Sequence, residues 1–183
     1  FASIIATMTA PTIAHSSGNA FDYSDRVYIQ QALKGQIAVS DILVDKSTGN
    51  LVIVVAGPIL VDNKVVGVAA ASLPTSIFDL IIDKLPLGTT GDTYLINQKG
   101  IFISPSRFTN ELKQAGMIKD RAQLELKIDT TASKQVLSGN SGSGIYNNYL
   151  NSPVIGAYRN IPLTGWGIIV EQNYDEALAG VTS

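Results

Sequence analysis

The 183 residues carry 45% hydrophobic and only 15% charged side chains, with a net charge of -2. Such a chain can bury the core of one domain or two small modules, and it lacks the basic field that would hold nucleic acid or an anionic membrane surface. Cysteine is absent, which removes disulfides, thiolate chemistry and cysteine zinc clusters and leaves the compartment open.

FASIIATM at the N-terminus reads as a first strand, and PTIAHSSGNAFDYS leads into a helix over 25–34. Ser24 is the expected N-cap, its hydroxyl accepting an orphan amide hydrogen of the first turn. Ile29, Ala32 and Leu33 fall on one side of the helical wheel as a core face, flanked by Arg26 and Tyr28. A positive charge in a first helical turn opposes the macrodipole by roughly 0.3–1 kcal/mol. Arg26 is therefore expected either to pair with Asp22 or Asp25 at the surface or to hold an anion.

Strands follow at 37–44, 50–60 and 64–73, joined by the turn-forming stretches DKSTG and VDNK. The spacing is that of an antiparallel meander rather than of strand-helix-strand units. The apolar runs LVIVVAGPILV at 51–61 and VVGVAAASL at 65–73 fall short of the roughly 20 residues that a membrane-spanning helix needs. Pro74 opens PTSIFDLIIDKL, where Ile77, Leu80, Ile81 and Leu85 recur at the spacing of a connecting helix. The pattern then restarts. TYLINQKGIFIS predicts a hairpin around Asn-Gln-Lys-Gly, and residues 105–130 predict weaker helical turns. TASKQVLSG predicts a short helix stopped by Gly139. SGIYNNYL, SPVIGAYRNI and GWGIIVEQ form a second meander before the helical YDEALAGV. Both halves share one order of elements without a residue-level repeat, which divides the chain into units 1–85 and 86–183. The chain opens at Phe1 without a signal-like segment and is expected to be a piece of a longer one.

Catalytic chemistry has little to draw on. His15 is the only histidine and, beside serines in a turn, reads as a surface residue rather than a base. SGNSGSG at 138–144 lacks the spacing of a nucleophile elbow and the Gly-Lys-Ser/Thr end of a phosphate loop. Asp22, Asp25, Asp41 and Asp45 lack calcium-loop spacing, and Tyr146, Tyr149, Tyr158 and Trp166 read as sheet packing. No catalytic residue, metal ligand or cofactor is expected. The small residues VAAAS at 68–72 either let a helix approach closely or leave room for a ligand.

DYSDRVYIQQALKGQIAVSDILVDKSTGNLVIVVAGPIL followed by KVVGVAAAS resembles the membrane-distal module of a double Cache (dCache) sensor domain. TTGDTYLINQKGIFISPSRF and GSGIYNNYLNSPVIGAYRNIPLTGWGIIVEQNYDEA are similar to its membrane-proximal module, so the likeness covers nearly the whole chain. The resemblance implies an α+β fold of two tandem PAS-like (Cache) modules, each a mostly antiparallel sheet flanked by helices, with the family's long N-terminal helix missing or trimmed. It implies an extracytoplasmic ligand-sensing domain between the transmembrane helices of a histidine kinase, diguanylate cyclase or chemoreceptor with a cytoplasmic output domain. Whether the domain pairs as a homodimer is left open.

In the amino-acid-binding branch of that family, an aromatic residue, an arginine, a tryptophan and a tyrosine of the distal module hold the ligand together with a later aspartate. Phe21, Arg26, Tyr28, Ile29 and Ser72 stand at those places, and only Arg26 matches fully. Without the aspartate to neutralise an ammonium, an α-amino acid is less expected, and the resemblance implies a small carboxylate or related polar metabolite. The expected ligand-binding set is Phe21, Tyr23, Arg26, Tyr28, Asp41, Ala71 and Ser72. Arg26 would be the anion clamp, Tyr28 the wall and donor, and Asp41 and Ser72 secondary polar contacts. The alternatives are a structural or interaction module with a closed cavity and, further off, a hydrolase.

Overall fold

The structure is a computed structural model that describes residues 5–6, 23–45, 48–82, 85 and 87–179. The chain divides into two compact units between Thr75 and Ser76, and each unit is built on its own antiparallel sheet.

The first sheet contains β1 (Ile5–Ala6), β2 (Ala38–Val39), β3 (Leu43–Val44), β4 (Leu51–Val61) and β5 (Lys64–Pro74). Its order is β1-β5-β4-β2, with β3 also paired to β4. The long hairpin of β4 and β5 reverses at Asp62 and Asn63, both with positive φ (49° and 60°). Aspartate and asparagine tolerate that conformation best after glycine, and it matches the twist of the flanking strands. The register sets Val54 opposite Ser72 and Ala56 opposite Ala70, so these four share one sheet face. On that face lies helix α1 (Val27–Leu33), whose Tyr28, Ile29 and Ala32 are buried with Ala38, Val54, Ala56, Val68 and Ala70. Alanines on the sheet let the helix axis come close.

The strand predicted over 37–44 is two short strands with a break between them. Ser40 causes it. Its amide donates to the Val54 carbonyl at 2.8 Å, but the Val54 amide is satisfied by the Ser40 hydroxyl at 2.8 Å, which donates in turn to the Asp41 carbonyl at 2.7 Å. A side chain standing in for a main-chain acceptor lets the backbone leave the ladder without orphaning a buried amide.

Between the sheets, the predicted connector is a 3-10 turn (Thr75–Ile77) and a single helical turn, α2 (Asp79–Ile82). The second sheet has the order β6-β9-β8-β7, built from β6 (Asp92–Ile96), β7 (Gly142–Asn147), β8 (Pro153–Ile161) and β9 (Trp166–Asn173). The predicted hairpin at TYLINQKGIFIS keeps its turn. Asn97 accepts the Lys99 and Ile101 amides through its side chain at 2.9 and 3.1 Å, and Gly100 takes the left-handed φ of 75°. Its second arm makes only the isolated bridges of Ile96 with Phe102 and of Ile101 with Lys127, because those residues divide their hydrogen bonds between two neighbours. Helix α3 (Thr109–Gln114) falls in the polar stretch. Helix α4 (Thr131–Leu137) starts at the N-cap Thr130, whose hydroxyl accepts the Ser133 amide. It is followed by Gly139, with φ 84°. Its Val136 seats on Gly167, where any larger residue would collide with it. The core beneath it includes Tyr94, Ile96, Phe102, Leu112, Val154 and Ile169.

The last helix, α5 (Tyr174–Ala179), is tied down by one side chain. Glu176 accepts the Thr89 amide at 2.7 Å and hydroxyl at 2.9 Å, and the Thr90 amide at 2.9 Å together with the Thr90 hydroxyl. These donors, the Thr90 hydroxyl foremost, hold its carboxyl down at about 2. A carboxyl lowered from 4.5 in the folded state adds stability above the higher value and loses it as pH falls toward the lower one. The melting temperature of the native chain should therefore exceed that of Glu176→Gln by a margin that is full above pH 4.5 and closes on titration toward pH 2. A margin constant across that range would show that the clasp carries no charge-dependent stability.

Candidate functional site

At the start of α1 the structure corrects the expected cap. Arg26, with φ -76° and ψ 132°, is the N-cap residue, because a turn over residues 23–26, closed by the Arg26 amide on the Tyr23 carbonyl at 3.0 Å, delays the first helical residue to Val27. Ser24 lies inside that turn, and its carbonyl accepts the Gln30 side-chain amide. Arg26 thus stands before the helical turns. Its Nε lies 3.6 Å from Asp25 Oδ1, the two side chains being 38% and 79% exposed. So open a pair contributes at most about 1 kcal/mol.

Tyr28, expected at the edge of the core face, is 8% exposed and belongs to the core. Burial raises its phenol above the ordinary value, while the Arg26 charge lowers it and Tyr23 and Asp25 raise it. Tyr23, half-buried, packs against the same core. The structure therefore brings Tyr23, Arg26 and Tyr28 into one electrostatically coupled patch with Asp25. Ser72, half-buried, shares the α1-facing side of the sheet through its pairing with Val54. Ala71 pairs with Val55 and turns to the opposite face. Asp41 is exposed, and its Oδ1 accepts the Ile42 amide at 2.8 Å within the break after β2. Phe21, Asp22 and His15 lie outside the described residues. Of the run VAAAS, Val68 and Ala70 are buried against α1, so at these two positions small side chains serve close helix packing.

A second polar cluster was not foreseen. Asp92 and Glu171 are cross-strand partners on β6 and β9 and are 4% and 2% exposed. Tyr94 donates to Glu171 Oε1 at 3.0 Å, and Tyr149 donates to Asp92 Oδ2. The Ser106 hydroxyl lies 3.3 Å from that same oxygen and 2.9 Å from the Tyr149 hydroxyl. Burial raises both carboxyls above their ordinary values, Glu171 to about 7. The signal was an acid set in each of DTYLI and WGIIVEQN at the phase that alternation turns inward, beside Tyr94 and Ile169. Among the described residues, no group of three or more His, Asp or Glu side chains could hold a metal ion. Nor is any described helix long and apolar enough to cross a membrane.

A family model for the Cache domain matches residues 2–181. The fold is similar to that of the extracellular domain of the histidine-kinase candidate rpHK1S-Z16, with 17% identity and TM-score 0.65 over 97% of this chain and 72% of that one. It is also similar to the ligand-binding domain of the Campylobacter jejuni chemoreceptor Tlp3 in complex with 4-methylisoleucine, with 18% identity and TM-score 0.65 over 95% of this chain and 66% of that one. The ligand-binding domain of the Pseudomonas aeruginosa chemoreceptor PctB in complex with L-Arg gives 17% identity and TM-score 0.65 over 97% and 73% of the two chains. None of the curated protein sequences matches this chain.

The patch and the core beneath it should respond differently to truncation. Ile29→Ala, at a position 1% exposed, should cost about 2–5 kcal/mol in chemical denaturation, whereas Arg26→Ala should cost no more than about 1 kcal/mol. A large loss on Arg26→Ala would assign the guanidinium a structural role.

Proposed function

The chain belongs to the Cache domain family, and from that premise we propose that it is the extracytoplasmic ligand-sensing part of a transmembrane signalling receptor, binding a small carboxylate at the start of α1. The observation that carries the reading is Arg26 itself. It is a half-exposed guanidinium in a loose pair with Asp25, beside a buried tyrosine whose phenol feels its charge. A ligand carboxylate can displace so weak a partner and take charge-assisted hydrogen bonds from Arg26, with the Tyr28 hydroxyl as a second donor. Phe21, Asp41 and Ser72 are the proposed surrounding contacts. Ala71, on the opposite face of β5, contributes only through its backbone.

Similar domains are named for complexes with 4-methylisoleucine, L-Arg and asparagine. In this chain Ile29 is buried in the core and Ser72 is no acid, so no carboxylate from these positions meets a ligand ammonium. This favours an acid that lacks the amino group. Signalling needs no turnover. A ligand that binds one arrangement of α1 over the sheet better than another shifts their populations by that difference. The rest of the receptor, with its membrane helices and output domain, is part of the same proposal.

A melting-temperature screen against monocarboxylates, dicarboxylates, amino acids and amines tests the assignment. A binder at 100 times its dissociation constant adds about 2.7 kcal/mol, and the carboxylates should give that shift in the native chain and lose it in Arg26→Ala. Stabilisation by amines alone, or a carboxylate shift that survives Arg26→Ala, would sink it.

A further inference from the structure

We propose that Asp92 and Glu171 form a proton-binding site that couples external pH to the hold of residues 88–91 on α5. Two carboxyls placed side by side by the register of β6 and β9, both buried, cannot both ionise without cost unless a cation joins them. Among the described residues, the groups facing the pair are phenols, a hydroxyl and two backbone amides. They are Tyr94 and the Thr93 amide from β6, Tyr146 from β7, Tyr149 after it, and Ser106 with the Arg107 amide from the segment after the hairpin. The three described ion pairs involve neither carboxyl. The Tyr146 hydroxyl, itself buried, faces Glu171 as a further donor to the ionised carboxyl. The Tyr146 hydroxyl is held over Gly156, where a methyl group would collide with it. Burial outweighs these phenol donors, so the pair takes up a proton in preference to a second charge.

The site is wired to the clasp through Arg107. Its amide reaches Asp92 Oδ1 at 3.4 Å, and its guanidinium donates to the Gly88 and Gly91 carbonyls at 2.9 and 3.0 Å. These two glycines bracket Thr89 and Thr90, which grip Glu176. The Thr90 hydroxyl also accepts the Asn173 amide at 3.1 Å, at the junction of β9 with α5. Tyr149, which bonds Asp92, also lines a cleft of about 210 Å³ with Thr130, Asn148 and Asn151.

The sign follows from the direction of the shifts. Glu171 is raised from 4.5 to about 7 by burial first, with the Asp92 charge adding to it. Between those values the folded chain binds more protons than the unfolded one, so stability falls as pH rises through the window and stays at the lower level above it. Ionisation then leaves two adjacent buried charges, and the segment holding Asp92, with the Arg107 brace, is the one displaced.

The test is a carboxyl-carbon NMR titration of the 183-residue chain from pH 4 to 9, paired with hydrogen exchange of residues 88–91 and 174–179 corrected for intrinsic pH dependence. Glu171 should titrate with its midpoint near 7, and protection of both segments should fall at least threefold across it. That fall should vanish in Glu171→Gln. Asp92→Asn, with one carboxyl left, should lower the Glu171 midpoint, and it serves as the second variant if the first does not fold. A Glu171 midpoint near 4.5 would overturn the proton site. Titration near 7 with unchanged protection of 174–179 would overturn the coupling.

Discussion

One constraint orders both units: a β-strand turns successive side chains to opposite faces, so strand register decides which groups meet the core. In the first unit the register of β4 on β5 places Val54, Ala56, Ala70 and Ser72 together on the side that α1 covers. It turns Ala71 away. In the second, the same rule carries Asp92 inward with Tyr94 and Ile96, and Glu171 inward with Ile169. A slip of one residue on either sheet would empty the helix contact or bring the carboxyls to the surface.

The two units use that constraint for different ends. The first buries small apolar groups under a seven-residue helix, and the half-exposed Arg26 beside them is held by one loose ion pair. A ligand can compete with such a contact at little cost. The second buries Asp92 with Tyr149 and Ser106, and at the surface Arg107 holds the Gly88 and Gly91 carbonyls on either side of Thr89 and Thr90, which hold Glu176. Within the buried part a change of charge at one member is felt by its neighbours, because the local dielectric there is low.

Local signals were legible where a residue type and its backbone coincide. Asp62 and Asn63 mark the hairpin reversal, and Gly139 follows the end of α4. Apolar runs bounded by turn-forming stretches located the six long strands, and the quoted stretches identified the family that the family match shows. Features set by particular contacts, whether distant in sequence or within one turn, were not legible. The break at Ser40 exists because its hydroxyl meets an amide fourteen residues away. The helix start at Val27 depends on the Tyr23 carbonyl closing a turn, which displaced the expected cap at Ser24. Tyr28 read as flanking because its ring is buried by the sheet rather than by its own helix. The acids at 92 and 171 lie in separate strands, and only their pairing reveals them as neighbours.

The central claim is that Arg26 is the ligand's anchor, and its own side-chain resonance reports on it. During titration of the nitrogen-labelled chain with small carboxylates, the Arg26 Nε–H signal should shift with saturation and move away from the position set by Asp25, with Tyr23 and Tyr28 amides following on the same binding curve. Saturable binding that leaves the Arg26 side-chain signal in place while shifting amides elsewhere would contradict the account.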